Sequence, residues 1–292
     1  MEQDPAPAAT AFDVATQFVD REIQNWKGPH ALVIGISGPQ GSGKSFLTAK
    51  ILDHLRHSKP TLNCVGLLLD DFYLTHKDQV AVTKAAQLSE NALLQGRGLP
   101  GTHDLELAVE TLHKLRNGTV PVGIPFYDKS AFNGEGDRLD LWGAVDKTVD
   151  VVLFEGWMNG FKAIDPTLFP AAYMCTGTES VVQKTHMYHL EEINADLGRY
   201  EPLWGLFDRF VYLKTDVEKN VYKWRLQQEA DLISKRGTGM TDAQVVQFVD
   251  RYMPMYVLYY WRMCAEGAAK GKDCNLCIEI NGDRNVEGHF YF

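Results

Sequence analysis

Short runs of consecutive apolar residues alternate along the chain with segments in which apolar residues recur every three or four positions. The continuous runs lie at residues 32–36, 65–69, 149–154, 210–213 and 276–280. Such runs are typical of parallel strands buried on both faces, whereas a spacing of three to four residues predicts amphipathic helices. The pattern therefore predicts an α/β fold in which a parallel β-sheet is sandwiched between helices.

The segments around these runs are predicted to be parts of one domain of 292 residues. Apolar residues at helical spacing from Phe12 onward predict an amphipathic helix in an N-terminal extension, residues 1–28. Residues 71–148 are predicted to be an insertion, and residues 216–265 a largely helical segment. Within the insertion, residues 122–143 are rich in Gly, Asp and aromatic residues without a clear period, so we expect a long loop there.

Composition and charge exclude several classes of protein. The 29 Lys and Arg against 38 Asp and Glu give a net charge of −9, which argues against a nucleic-acid binder that needs a broad positive field. No apolar run approaches the ~18–20 residues of a membrane span, so we expect no membrane association. Five irregularly spaced cysteines indicate a reducing compartment. We expect a cytoplasmic protein, either a monomer or a homodimer.

The strongest chemical signal is the segment GPQGSGKS, which matches the pattern G-x-x-x-x-G-K-[ST] between a predicted strand and a predicted helix. Its glycines allow backbone N–H groups to converge on phosphate oxygens. The alternative is an ordinary Gly-rich turn that binds no phosphate. The lysine is expected to reach the terminal phosphates of ATP, and the final serine to bind Mg²⁺. The predicted nucleotide-binding residues are Gly38, Gln40, Gly41, Ser42, Gly43, Lys44, Ser45 and Phe46.

Carboxylates follow two of the predicted strands. Asp70 and Asp71 come directly after the run that ends at residue 69, and Glu155 follows the run that ends at residue 154. The carboxyl ends of parallel strands face the crevice in which ligands bind. One of the adjacent acids is therefore expected to accept a hydroxyl proton, while Asp71 and Glu155 join Ser45 as predicted Mg²⁺ ligands. The alternative is that these acids are merely solvated or cap the next helix.

Several uncommon segments appear in order between residues 30 and 286: LLLDDFYLTHKDQ, LLQGRGLPGTHD, PFYDKS, FEGWMNGF and YKWRLQQEA. Together with the Gly-rich segment, they resemble the D-glycerate 3-kinase-related P-loop kinases of fungi and plants. That family is itself similar to uridine and pantothenate kinases. The resemblance implies a P-loop NTPase-type sheet with lid and acceptor loops, a phosphotransferase activity with ATP and Mg²⁺, and Asp70 as the base.

An acidic acceptor such as glycerate requires local cations in so acidic a chain. Arg97 lies between glycines, and the fork of its guanidinium suits a carboxylate. The alternative for Arg97 and His103 is a hydrogen-bond network that stabilises the loop, and charges in residues 122–143 could simply be solvated. The predicted acceptor-binding residues are Tyr73, Arg97, His103, Asp104, Tyr127, Lys129 and Arg138.

Basic residues also precede a Gly-containing turn near residue 237. In small-molecule P-loop kinases such a segment resembles the lid, so Arg236 is predicted to stabilise charge on the transferred phosphoryl group. The alternative is that basic residues merely complement the helix dipole at that C-terminus. The predicted catalytic residues are therefore Lys44, Asp70 and Arg236.

The expected function is an ATP-dependent kinase that phosphorylates a hydroxyl group of a small molecule, D-glycerate first. A nucleoside or pantothenate kinase would use the same machinery with a larger acceptor site. A nucleotide-binding regulatory protein would keep the P-loop and transfer nothing. The acids after the strands favour a kinase over that alternative.

Overall fold

The structure, a computed structural model, describes residues 9–292 apart from the side chains of residues 140–142 and 236. The described α-helices are α1 (Ala11–Asn25), α2 (Lys44–Ser58), α3 (His76–Leu88), α4 (Leu105–Arg116), α5 (Phe169–Cys175), α6 (Met187–Gly198), α7 (Glu201–Trp204), α8 (Val217–Arg236), α9 (Asp242–Met255) and α10 (Trp261–Glu266). A π-helix, Tyr256–Tyr260, joins the last two. The strands are β1 (Leu32–Ser37), β2 (Cys64–Leu68), β3 (Val122–Asp128), β4 (Asp137–Val145), β5 (Val151–Gly156), β6 (Arg209–Lys214), β7 (Asn275–Ile280) and β8 (Val286–Tyr291).

Six strands form the main sheet in the order β2-β5-β1-β6-β7-β8. The first five are parallel, and β8 pairs antiparallel with β7 at the edge. Each of the five apolar runs in the sequence coincides with one of the parallel strands, which confirms the predicted sheet. The edge strand β8 carries no such run, because its residues are mostly exposed or half-buried.

The sheet separates two apolar layers. Alternate residues of β1, such as Leu32 and Ile34, pack on one face with residues of α1 and α2. Val33 points to the other face, where it joins a layer that includes residues of α4, α6 and α9. Because side chains alternate across a strand, both faces of β1 must be apolar, and all six of its residues are buried. The predicted sandwich of a parallel sheet between helices is confirmed.

Helix α1 covers one of these faces, as its apolar spacing predicts. Thr10 caps the helix: its hydroxyl accepts from the Asp13 N–H, and the Asp13 carboxylate accepts in return from the Thr10 N–H. The buried side of the helix includes Val14, Phe18 and Val19. The helix thus serves packing, with its apolar stripe against the same layer as α2.

The expectation of a long loop over residues 122–143 is wrong. Strands β3 and β4 form an antiparallel hairpin, with Tyr127 opposite Arg138 and an irregular register between Ile124 and Phe126. Gly123, Pro125 and this bulge interrupt the two-residue alternation, so a period was not visible in the sequence. Only residues 129–136 at the tip connect the strands as a loop, which we call the hairpin loop.

Two findings concern membrane-spanning helices and metal-binding clusters. In the described part of the chain, no helix is both long and apolar enough to cross a membrane. Among the same residues, no group of three or more His, Cys, Asp or Glu side chains could hold a metal ion.

Candidate active site

The Gly-rich segment connects β1 to α2 at the carboxyl edge of the sheet. Gly41 (φ 82°) and Gly43 (φ 90°) adopt the left-handed conformation that favours glycine, and Gly43 is the N-cap of α2. The Ser42 N–H donates to the Pro39 carbonyl at 3.1 Å, which closes the turn. The segment therefore presents backbone N–H groups together with the positive end of a 15-residue helix, which is the arrangement that binds phosphate.

Gly41 is the most constrained glycine of this loop. A Cβ atom there would lie 2.5 Å from the Trp224 Cβ atom, and the left-handed backbone would be strained as well. We expect Gly41→Ala to raise the KM for ATP at least about tenfold, because an N–H group would shift away from the phosphates by a fraction of an ångström. Steady-state kinetics at saturating acceptor measures this effect.

The matched control for this substitution is Gly177→Ala. Gly177 has the same φ of 82°, and a Cβ atom there would meet nothing within 4 Å. It shares the backbone strain but lies outside the P-loop. An unchanged KM for ATP in Gly41→Ala, or an equal increase in both variants, would contradict this role for the Gly41 backbone.

Lys44 and Ser45 both contact Glu155 at the end of β5. The Lys44 Nζ atom lies 3.7 Å from Oε1 of Glu155, and the Ser45 hydroxyl donates to Oε2 at 3.0 Å. Burial raises the pKa of the Glu155 carboxyl, and the nearby Lys44 charge partly offsets that increase. The strand end thus brings one carboxylate between the lysine and the serine of the P-loop.

The oxygen donors of Ser45 and Glu155 suit a hard cation such as Mg²⁺, which binds few protein ligands and completes its shell with water and phosphate. The third predicted metal ligand, Asp71, lies outside the lining of the cavity described below. Its Oδ1 atom accepts from the Tyr127 N–H at 3.2 Å, and burial raises its pKa to about 6. In this structure Asp71 therefore contacts β3 rather than the P-loop.

Asp70 lies in a short 3₁₀ turn, Leu69–Phe72, directly after β2. Its Oδ2 atom forms an ion pair of 2.6 Å with the Lys129 Nζ atom. Burial by itself would raise the pKa of Asp70, but the charge and hydrogen bond of Lys129 and the charge of Lys44 outweigh it and hold the pKa below its usual value. Asp70 is thus an ionised carboxylate at the edge where the P-loop lies.

One cavity of about 810 Å³ connects these groups. It is lined by residues of the P-loop, α3, the segment before α4, α8 and α9. Its polar lining includes Gln40, Lys44, Ser45, Asp70, Tyr73, Gln79, Arg97, Lys129, Glu155, Arg225 and Arg251. The volume and lining allow a phosphate chain and a small polar molecule to lie side by side.

Three of the seven predicted acceptor-binding residues line this cavity: Tyr73, Arg97 and Lys129. His103 lies behind Tyr73, with the two ring centroids 4.5 Å apart, and its Nδ1 atom is 2.7 Å from the Tyr200 hydroxyl. Burial lowers the pKa of His103 to about 4, so the ring is neutral near pH 7. His103 therefore supports Tyr73 from outside the cavity.

Asp104, Tyr127 and Arg138 also lie outside the cavity lining. Asp104 caps α4 and forms an ion pair of 2.9 Å with Arg138, while the Tyr127 hydroxyl donates to the Glu135 carbonyl. The ion pair joins the hairpin to the main body, whereas the Tyr127 hydrogen bond lies within the hairpin. None of these three side chains lines the cavity, so their predicted contacts with the acceptor stay predictions.

Two of the predicted site residues, Phe46 and Arg236, do not belong to the described lining of the cavity. Phe46 is 69% exposed on α2 and does not line the cavity. Arg236 is the last residue of α8, but its side chain lies outside the described part of the chain. Their predicted roles at the nucleotide and in the lid stay predictions.

Several basic residues outside the set of predicted site residues lie at or beside the cavity, among them Arg225 and Arg284. Arg225 lines the cavity and forms an ion pair of 2.9 Å with the buried Glu229, four residues further along α8. This spacing of opposite charges, which places them on one face of a helix, is visible in the sequence. Arg284 donates to the Gly41 carbonyl at 2.8 Å and lies over the Trp224 ring. The position of Arg284 after a strand of the parallel sheet is visible in the sequence, but its contact with Gly41 is not, because 243 residues separate the two.

A P-loop, a strand-end carboxylate beside it and a shared cavity for a second ligand define a kinase of the P-loop class. No family model matches the chain. It is 40% identical over 292 residues to "Probable ATP-dependent kinase TDA10" of Saccharomyces cerevisiae, covering 95% of both chains. It is also 39% identical over 261 residues to chloroplastic D-glycerate 3-kinase of Arabidopsis thaliana, covering 87% of this chain and 53% of that protein.

Among solved structures, D-glycerate 3-kinase from Cryptococcus neoformans has a TM-score of 0.86 and 35% identity, with 98% of this chain and 100% of that chain covered. The chain belongs to the family of P-loop kinases related to D-glycerate 3-kinase. It is accordingly an ATP-dependent phosphotransferase that acts on a hydroxyl group. The predicted resemblance and the P-loop kinase fold are confirmed.

Proposed function

We propose that this kinase transfers the terminal phosphoryl group of ATP to a hydroxyl of a small carboxylic acid, with D-glycerate as the first candidate. The observation that carries the proposal is a pair of cations in the cavity that Asp70 lines: Lys129, which forms an ion pair with Asp70, and Arg97. A nucleoside offers no carboxylate to these cations. The likeness to two D-glycerate 3-kinases supports the same acceptor.

The division of roles follows from the positions of the side chains. The acceptor oxygen attacks the terminal phosphorus, the bond from that phosphorus to the ADP oxygen breaks, and Asp70 takes the acceptor proton. Lys44 and the backbone N–H groups of the P-loop stabilise the phosphate charge. We assign Mg²⁺ to Ser45 and Glu155, with Asp71 as a further candidate ligand. When bound, the ion neutralises charge on the phosphate oxygens.

Lid cations complete the proposed site. Arg225 lines the cavity near the P-loop, and Arg236 lies eleven residues further along the same helix. An arginine that reaches the transferred phosphoryl group stabilises charge only as that charge develops. We propose Arg236 as this residue and Arg225 as the alternative, to be separated by comparing kcat in Arg236→Met and Arg225→Met.

Arg97 is expected to contribute to acceptor binding rather than to ATP binding. Its Nη1 atom donates to the carbonyls of Gly134 and Glu135, so it also holds the hairpin loop against the cavity. We expect Arg97→Met to raise the acceptor KM about ten- to hundredfold, as for the loss of a charge-assisted hydrogen bond of ~1.5–3 kcal/mol. The KM for ATP should change less than about threefold, since the hydrogen bonds of the Arg97 guanidinium go to the hairpin loop and not to the P-loop.

The acceptor itself is tested by measuring ADP release with D-glycerate, L-glycerate, longer hydroxy acids, uridine and pantothenate. Arg199→Met serves as the control for Arg97→Met, because Arg199 is exposed and pairs only locally with Asp196. Highest kcat/KM for D-glycerate supports the proposal. Turnover of uridine or pantothenate with none for glycerate or the other short hydroxy acids would reject the acceptor and leave the kinase activity in place.

A further inference from the structure

The ion pair between Lys129 and Asp70 occupies the carboxylate that is to receive the acceptor proton. The Nζ and Oδ2 atoms are 2.6 Å apart, and both side chains line the cavity. The Lys129 side chain is 58% exposed, whereas that of Asp70 is 28% exposed. An ion pair with one solvated, flexible partner is weak, so another anion can take the ammonium group from Asp70.

The hairpin loop that carries Lys129 is anchored at its far end. The Tyr127 hydroxyl donates to the Glu135 carbonyl at 3.2 Å, and Arg97 donates to the same carbonyl. On the outer side, His76 lies 2.7 Å from the Glu135 carboxylate and stacks on Phe132 with ring centroids 3.7 Å apart. These contacts hold the loop over the cavity, so only the lysine side chain needs to move for the ion pair to open.

The same position also suits recognition of an acidic acceptor. A hydroxyl group must approach Asp70 for its proton to be removed, and in a short hydroxy acid the carboxylate lies only one or two carbon atoms from that hydroxyl. The ammonium group of Lys129, which starts beside Asp70, therefore lies within reach of the acceptor carboxylate. Arg97, whose guanidinium also lines the cavity, is bound to loop carbonyls and remains in place.

We propose that Lys129 is a latch that holds Asp70 in the absence of acceptor and releases it when the acceptor carboxylate takes the ammonium group. This inference rests on the proposed function, since it requires an acidic acceptor and Asp70 as the base. It makes acceptor binding and base release one event. A neutral hydroxyl compound of the same size would bind in the cavity and leave the ion pair between Lys129 and Asp70 intact.

The latch has a consequence for water, which is the competing acceptor in any kinase. In hydrolysis a water oxygen attacks the terminal phosphorus, the bond to the ADP oxygen breaks, the water proton goes to Asp70, and inorganic phosphate leaves. Water carries no carboxylate, so it does not compete with Asp70 for the ammonium group of Lys129. Lys129 therefore suppresses the loss of ATP when no acceptor is present.

The experiment measures ADP release by the full-length protein with and without D-glycerate, together with the amount of phosphorylated product, in wild type, Lys129→Met and Lys129→Arg. We expect Lys129→Met to release ADP at least about fivefold faster than wild type when no acceptor is present. Its acceptor KM should rise at least about tenfold, and more than one ADP should form per phosphorylated product. Lys129→Arg keeps the cation and should keep hydrolysis low.

Lys114→Met is the matched control, because Lys114 also forms a 2.6 Å ion pair, with Glu110 on α4, outside the cavity. It should behave as wild type. Unchanged or slower acceptor-free hydrolysis in Lys129→Met would overturn the latch, even if the acceptor KM rises. If wild type phosphorylates no hydroxy acid, the proposed function fails, whereas the acceptor-free arm still reports on whether Lys129 restrains Asp70.

Discussion

Replacement of Lys44 by alanine is expected to lower kcat by about 1,000-fold or more, since a cation that meets developing phosphoryl charge acts mainly in the transition state. In the structure Lys44 is the first residue of α2, and its Nζ atom lies 3.7 Å from Oε1 of Glu155 at the end of β5. It is therefore held at the carboxyl edge, where the phosphates of ATP would lie. Rates of ADP and product formation at saturating substrates measure the effect.

Lys50→Ala is the control for this substitution. Lys50 lies on the same helix, is exposed, and contacts the Phe46 ring rather than a carboxylate. Thermal unfolding of both variants checks that the loss is catalytic, since the buried Glu155 loses a cation when Lys44 is removed. A folded Lys44→Ala variant with a rate close to that of wild type would exclude the P-loop lysine from catalysis.

Asp70→Asn is expected to reduce phosphoryl transfer by about 100- to 10,000-fold while ATP still binds, because an amide has the shape of the carboxylate but cannot act as a base. Asp70 lines the cavity at the end of β2, whereas Asp71 contacts β3 through the Tyr127 N–H. Asp71→Asn should therefore have the smaller effect on transfer. Calorimetry with ATP and product formation measured by mass spectrometry separate binding from chemistry.

The two aspartate variants form a matched pair that differs by one residue in position. If both bind ATP as wild type does and only Asp71→Asn is inactive, the roles of the two carboxylates are reversed. Equal and severe loss of ATP affinity in both variants would instead indicate that they act through the metal and the nucleotide. Either outcome would contradict Asp70 as the base.

The sheet and the P-loop were predictable because their signals are local. A run of apolar residues indicates a buried strand wherever it occurs, and the Gly-rich segment carries its own backbone geometry through Gly41 and Gly43. Parallel strands end at one edge, so the carboxylates of Asp70 and Glu155 could be placed near the P-loop before any contact was known. These inferences need no knowledge of tertiary packing.

The acceptor side was less predictable, because its contacts join distant parts of the chain. The hairpin of β3 and β4 was expected to be a loop, since its bulge and glycines disguise the alternation of a strand. Whether a polar residue faces the cavity depends on that hairpin: Lys129 reaches Asp70, whereas Arg138 pairs with Asp104 outside the cavity. Residue type alone does not distinguish these two positions.

The proposed transfer to a hydroxy acid is tested most directly by mass spectrometry of the products formed from ATP and D-glycerate. We predict one phosphorylated glycerate for each ADP formed, with product formation lost in Asp70→Asn and retained in the exposed-site control Lys114→Met. ADP accompanied only by inorganic phosphate, with unmodified glycerate recovered from the wild-type reaction, would contradict the proposed transfer.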